Sequence, residues 1–440
     1  MRTQTIKLIL LVLIAVCIAA CGGQKKEKIQ VVVLGFDGAN WPTIDPLIAE
    51  GKLPFIKQLK EESAWADFRT DKPTKSSVVW TSIATGKTMV KHGILDFTYM
   101  KDNHIEVPYS NAEKRVPSLW QMLDRFNMRS VVINWYVTHP PDQFNGVMVS
   151  DRFRQIMIKK PGFANDYVDT VLPKMDFYRL KQVVRRDYGR TIQRIGVPDF
   201  PTLFQKIHPG KDFRKSFTLQ NSRTFVMQDA LVEDLSDTLF KTKEADLYMT
   251  YFRLPDIVQH FVLPLLEDEF VKSHFPGEGQ PWTMSAARQQ QVTLRIAHLL
   301  EPVYRYMDRL LQKYMSDPKF KDAYFFVMSD HGFSLYSGGY NHYDLPAEMP
   351  APPGILLVKG PEVKPGKTAA SIYDIAPSVL YLFGLPLDKS MDGQPLRSIF
   401  NLSRKVKYTA YSLDKSKKGI ARKDSDKDTL EELKALGYIN

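Results

Sequence analysis

The stretch Ile29-Gln30-Val31-Val32-Val33-Leu34-Gly35-Phe36-Asp37-Gly38 decides the architecture. Its run Ile29–Leu34 (IQVVVL) is β-branched and almost wholly apolar. That pattern predicts a strand buried on both faces of a parallel sheet rather than one face exposed to water. Working outward, four more runs read the same way: Ser130–Tyr136 (SVVINWY), Asp246–Phe252 (DLYMTYF), Ala323–Met328 (AYFFVM) and Gly354–Val358 (GILLV). Helical stretches lie between them, Trp41–Leu59 broken by Gly51 and Pro54, and Ser118–Phe126. Strands alternating with helices predict an α/β fold, a doubly wound, mostly parallel sheet flanked by helices.

The chain has 440 residues, 44% of them hydrophobic and 25% charged. This excludes a disordered chain, a collagen-like repeat and a polytopic membrane protein. Lys and Arg number 60 against 49 Asp and Glu, a net charge of +11. A basic balance fits an anionic substrate or surface, and no aromatic-basic pattern of a nucleic-acid module is present. The expected organisation is a leader at 1–20, a tether at 21–28, a first part of the core at 29–151, an inserted cap at 152–243, a second part of the core at 244–402 and a tail with a closing helix at 403–440. The cap region is rich in Arg, Lys, Phe and Tyr, including Arg152, Arg154, Lys159, Lys160, Arg185 and Arg186. These read either as a gate for an anionic substrate or as a solvated basic face.

At the N-terminus, Arg2 and Lys7 precede an apolar run, Leu8–Ala20. It falls short of the ~20 residues that span a bilayer and fits a secretory signal. Ile18-Ala19-Ala20-Cys21-Gly22 resembles the lipobox of bacterial lipoproteins. The resemblance implies acylation of Cys21 and a body tethered to a membrane in the cell envelope, facing the periplasm or the exterior. Gly22, where some bacteria use Asp to retain a lipoprotein at the inner membrane, favours the outer membrane.

The acids and histidines mark the chemistry. Asp37 follows the first strand, Asp256 the third with His260 four residues on, and Asp330-His331 the fourth, with His342 beyond. Loops at strand C-termini of an open α/β sheet converge on one crevice. Asp256 and His260, on a helix, project from one face. Carboxylates with neutral imidazoles suit zinc, at expected bond lengths of ~2.0–2.2 Å. Taken singly, each Asp could be a helix cap and each His a core residue. Their joint placement is the signal. Ser76 and Ser77, in Lys75-Ser76-Ser77-Val78-Val79-Trp80, offer hydroxyls at a helix start, where the backbone field favours anions.

Gly35-Phe36-Asp37-Gly38-Ala39-Asn40-Trp41, the run Pro73-Thr74-Lys75-Ser76 to Trp80-Thr81-Ser82-Ile83-Ala84-Thr85-Gly86, Lys91-His92-Gly93-Ile94 and Ser329-Asp330-His331-Gly332-Phe333 together resemble the alkaline phosphatase superfamily. The nearest branch is the type I phosphodiesterase/nucleotide pyrophosphatase group. Asn134–Ser150 and Ser371–Leu396 are similar to its bacterial members. The resemblance implies two zinc ions, with manganese open as the metal, and a Ser nucleophile at Ser76, with Ser77 as the adjacent alternative. It implies one zinc on Asp256, His260 and His342, and the other on Asp37, Asp330 and His331 beside Ser76, itself counted in the metal set. The stretch after His342 is longer than the family's usual spacing.

The implied reaction is in-line attack of Ser76 on a phosphate ester, giving a phosphoseryl intermediate that is then hydrolysed. Nucleotide pyrophosphatases carry an Asn three residues after the nucleophile; here that position is Val79, with Lys75, Asn40 or a basic cap residue as substitutes. A phosphodiesterase is therefore expected. A phosphomonoesterase, a phosphonate hydrolase, a phospho-headgroup transferase and a non-catalytic lipid-anchored binding protein are the alternatives. The sequence does not address the oligomeric state.

Overall fold

A computed structural model describes residues 29–440, apart from 102–103, 158–160, 276, 278–283, 337–338, 344, 418–424, 437 and 440. The leader, Cys21 and the tether lie outside the described residues. The central sheet has ten strands: β1 (Val31–Phe36), β2 (Ala64–Arg69), β3 (Ser130–Ile133), β4 (Gly146–Val149), β5 (Val171–Leu172), β6 (Leu247–Phe252), β7 (Tyr324–Met328), β8 (Gly354–Lys359), β9 (Gly366–Lys367) and β10 (Ala370–Ser371). Their order is β9-β2-β8-β7-β1-β6-β3-β4-β5, with β10 also on β2. The middle, β7-β1-β6-β3-β4, is parallel, and β8 runs antiparallel to both β7 and β2.

The central position of β1 follows from its composition. All six of its residues are buried. Val32, Leu34 and Phe36 enter one apolar cluster, and Val31 and Val33 the other, so both faces need a helical layer. On the first face lie α1 (Trp41–Ala49), α2 (Pro54–Glu62), and parts of the helices from the second half of the chain. The break between α1 and α2 falls where Gly51 takes φ 72° and Pro54 opens α2. On the opposite face lies α3 (Ser76–Thr85). The segment expected as a cap contains α4 (Phe217–Thr242), whose Phe225, Leu231, Leu235 and Leu239 join the first-face cluster. α5 (Leu254–His260) and α6 (Ala286–Met315) share that face, α7 (Ile375–Phe383) the other, and α8 (Ser425–Ala435) is the last helix among the described residues.

Two details differ from the sequence reading. The strand expected over 130–136 ends at Ile133, because Asn134 takes φ 56° and its side-chain amide donates to Tyr251 O at 2.8 Å. β2, absent from that reading, is a short strand with alternating exposure between β8 and β9.

Gly35 is fixed by a close approach. A Cβ there would lie 2.6 Å from the Trp80 indole of α3, which packs edge-on against Trp135 at 4.9 Å. Gly35→Ala should cost about 1–3 kcal/mol in urea unfolding, since neither ring has room to retreat. An unchanged midpoint would mean that the indole shifts freely.

Candidate active site

The register aligns the ends of three parallel strands: Phe36 pairs with Phe252, and Gly35 with Met328. Asp37, the start of α5 and the Asp330-His331 loop therefore share one edge. Asp37 N–H donates to Phe252 O at 2.9 Å, and its Oδ2 accepts from Tyr251. Gly38 turns with φ 69°, so its N–H reaches Asp330 Oδ1 at 3.3 Å. A Cβ on Gly38 would fall 2.9 Å from Asp256 Cα, so only glycine lets the two segments meet.

α5 presents Asp256 and His260 one turn apart, with His260 Nε2 3.3 Å from Asp256 Oδ2. Its first turn is held from α4, where the Asp229 carboxylate accepts the N–H groups of Arg253 (3.1 and 3.0 Å) and Leu254 (2.7 Å). Burial raises the Asp229 carboxyl to about 6, against the pull of Arg253 and these N–H bonds.

His342 arrives after the hairpin Ser334–Tyr336/Gly339–Asn341. Its Nδ1 lies 3.0 Å from Thr74 O, which makes Nδ1 the protonated nitrogen and turns Nε2 inward. Nε2 is 3.2 Å from His260 Nε2 and 3.5 Å from Asp256 Oδ1. His331 is set in the same way: Nδ1 meets Gly332 O at 3.1 Å, while Nε2 is 3.3 Å from Asp330 Oδ2 and 3.4 Å from Asp37 Oδ1. The rings of His331 and His342 stack at 3.7 Å.

All six expected ligands are thus brought together. Asp256, His260 and His342 form one group that could hold a metal, with donor atoms within 4.8 Å of one another. Asp37, Asp256 and His331 form a second. This differs from the expected set in one respect: Asp256 stands within reach of both groups, while Asp330 flanks the second through His331.

Electrostatics make the same point. Burial raises the Asp37 and Asp330 carboxyls; repulsion from Asp256 adds to the first, and repulsion from Asp37 to the second. Burial lowers His331 and His342, keeping both imidazoles neutral. Asp37 Oδ1, Asp256 Oδ1, Asp330 Oδ2 and His331 Nε2 are buried without a hydrogen-bond partner. Such atoms are costly unless something coordinates them. A divalent cation answers both the repulsion and the orphaned donors, so the residues fit a metal.

Ser76 is the first residue of α3, 1% exposed, and its Oγ also has no partner. Ser77 Oγ is engaged, donating to Asp96 O at 2.8 Å. The expected substitutes at the phosphate are committed elsewhere. Lys75 Nζ is 2.5 Å from Asp96 Oδ2, and Asn40 caps α1 and bonds Gln259. Val79 packs in the core. In the expected cap, Arg152 and Arg154 form neither gate nor solvated face. Both are buried and pair with α8, at 2.7 Å to Asp426 and 3.2 Å to Glu432.

The sequence reading missed Tyr251 and Tyr438. Tyr251 reads as sheet core, which it is, yet its hydroxyl reaches Asp37. Tyr438, in the tail, donates to Asp256 Oδ2 at 2.6 Å. No local motif marks either.

Residues 31–362 match the type I phosphodiesterase / nucleotide pyrophosphatase family. Similar solved structures include a phosphonate monoester hydrolase from Silicibacter pomeroyi (13% identity, 84% of this chain and 76% of that one, TM-score 0.44). Murine ectonucleotide pyrophosphatase/phosphodiesterase 5 is 10% identical over 84% of this chain and all 100% of its own, with TM-score 0.42. A putative sulfatase from Bacteroides thetaiotaomicron is 12% identical over 88% and 79%, with TM-score 0.46. The class is that of the phosphoester hydrolases. Within it, this chain belongs to the type I phosphodiesterase/nucleotide pyrophosphatase family.

Proposed function

We propose that the protein is a zinc-dependent phosphodiesterase with Ser76 as its nucleophile. The observation that carries this reading is the set of unpartnered buried atoms on Asp37, Asp256, Asp330 and His331 at one sheet edge, with the unpartnered Ser76 Oγ two residues beyond Thr74, which bonds His342. Asp256, His260 and His342 would hold one ion, and Asp37, Asp330 and His331 the other. When bound, zinc supplies Lewis-acid polarisation of the phosphoryl group and eases ionisation of a nearby hydroxyl.

The chain's own residues do the rest. Ser76 heads α3, whose N-terminal field favours the ionised hydroxyl and an incoming phosphate. Attack in line on phosphorus forms the Oγ–P bond as the ester alcohol leaves, and water then breaks that bond from the opposite side. Thr74, two residues before the nucleophile, bonds both Nδ1 and O of His342 through its carbonyl and hydroxyl. It thereby ties the nucleophile segment to the ligand loop.

The testing assay compares bis(4-nitrophenyl) phosphate with 4-nitrophenyl phosphate. Diester turnover should exceed monoester turnover, vanish on chelation and return with zinc. A monoester preference would make the enzyme a phosphatase, and turnover that survives full chelation would remove the metal from the reading.

The reading extends to a membrane surface through acylated Cys21, because small residues precede that cysteine directly after an apolar run. A Cys21→Ser chain expressed in a bacterium should leave the membrane fraction. Retention there would end the anchoring proposal.

A further inference from the structure

The segment from α8 to Tyr438 reaches back across the fold and places Tyr438 in the site. α8 is held by buried contacts: Glu432 with Arg154 and Arg253, Thr218 Oγ1 with Ala435 O at 2.8 Å, and Gln155 with Thr429 at 2.9 Å. Beyond it, the Tyr438 ring stacks on Phe97 at 4.4 Å and stands edge-on to His260 at 5.0 Å. Its hydroxyl lies 2.6 Å from Asp256 Oδ2 and 2.9 Å from His260 Nε2.

We propose that Tyr438 is a fourth, displaceable oxygen donor to the metal held by Asp256, His260 and His342, so that the C-terminal segment closes that coordination position until a phosphate ester takes it. The proposal rests on the metal reading given above.

A phenol has one proton, and the ionised carboxylate is an acceptor only, so the proton goes to Asp256 Oδ2. A lone pair is left facing His260 Nε2. That nitrogen is the atom a metal would take, and a cation seated there meets the phenol oxygen as well.

Donors around a tetrahedral zinc at ~2.0–2.2 Å stand roughly 3.3–3.5 Å apart. The ligand side chains already approach this: the Nε2 atoms of His260 and His342 stand 3.2 Å apart, and the Asp256 carboxylate offers Oδ2 at 3.3 Å from the first and Oδ1 at 3.5 Å from the second. The phenol oxygen sits beside them, 2.6 Å from Asp256 Oδ2 and 2.9 Å from His260 Nε2, so it need only draw back by several tenths of an ångström to take the fourth corner.

Three protein donors leave a catalytic zinc one open position, whereas a fourth closes it. A neutral phenol is a weak donor, so an anionic phosphoryl oxygen can displace it. The alternative is a tyrosine that only orients Asp256 through its hydrogen bond and never meets the metal.

Cobalt(II) loaded into the full chain separates the two, because its visible spectrum reports coordination number. Tyr438→Phe keeps the ring on Phe97 and removes only the oxygen. The expected result is a changed visible spectrum, metal affinity weaker by about tenfold or more, and a several-fold lower KM for bis(4-nitrophenyl) phosphate with kcat held. A spectrum identical to the parent's, with cobalt bound, overturns the proposal and leaves the metal reading standing. Failure of the parent chain to bind cobalt overturns both. A fall in kcat with unchanged spectrum assigns Tyr438 to positioning and overturns displacement. Should the variant not fold, a chain ending before Tyr438 must give the same spectral change, and its absence there overturns the proposal equally.

Discussion

Ser76→Ala should lower phosphodiester turnover by on the order of 10⁴-fold or more, with metal content and thermal unfolding unchanged. The size follows from the role, since removing a covalent nucleophile leaves only binding and charge stabilisation to accelerate attack by water. Stability should hold because Ser76 Oγ has no hydrogen-bond partner to lose. Metal should hold because the six Asp and His donors remain. Ser77→Ala is the internal contrast: its hydroxyl bonds Asp96 O at 2.8 Å, so its loss should cost about 1 kcal/mol of stability and little activity. Turnover and metal content measured on the same preparations decide the matter. A loss under tenfold for Ser76→Ala would reduce that hydroxyl to a bystander.

Glu432→Ala should destabilise the fold by about 3–5 kcal/mol, the largest structural effect expected here. Glu432 is 3% exposed at its side chain, 3.2 Å from Arg154 Nε and in contact with Arg253 Nη1. Removing the carboxylate leaves two buried guanidinium groups without the anion they share, with the neutral acceptors Asn134 and Gln228 bonded at 3.1 Å to Arg154 and Arg253. Burial alone would raise this carboxyl, but Arg154 and Arg253 outweigh it and hold it at about 2, below the ordinary 4.5. A depression of that size is worth roughly 3 kcal/mol. The sign is that of a lowered acid. The contribution is fully present above the unfolded value near 4.5 and is lost as pH falls through the folded value near 2. Urea unfolding of parent and variant should therefore converge as pH drops from about 4.5 toward 2. Curves that stay parallel over that range would show that the pair contributes nothing.

Much of the site was legible in the sequence for a physical reason. A strand buried on both faces must be uniformly apolar, so β1, β6 and β7 announce themselves, and an acid directly after such a strand has little reason to be there except a cap or a ligand. Asp37, Asp330 and His331 follow from this, and the four-residue spacing of Asp256 and His260 from the helix repeat. The resemblance already favours Ser76 over Ser77, and the fold adds what the sequence could not, the bond from Ser77 Oγ to Asp96 O. β2 escaped because a short strand with alternating exposure resembles many surface segments. Glu432 and Tyr438 escaped for a stronger reason. An acid or a tyrosine in a polar tail has no local pattern, and burial comes entirely from partners such as Arg154, Arg253 and Phe97, far away in sequence.

The position of β1 at the middle of the sheet also governs how the chain can be made. Val31 pairs with Leu247 on one side and with Tyr324 on the other. β1 therefore waits for partners more than two hundred residues further on, and until residue 324 emerges one of its two hydrogen-bonding edges stays bare. Long-range parallel pairing of this kind is slow and prone to aggregation.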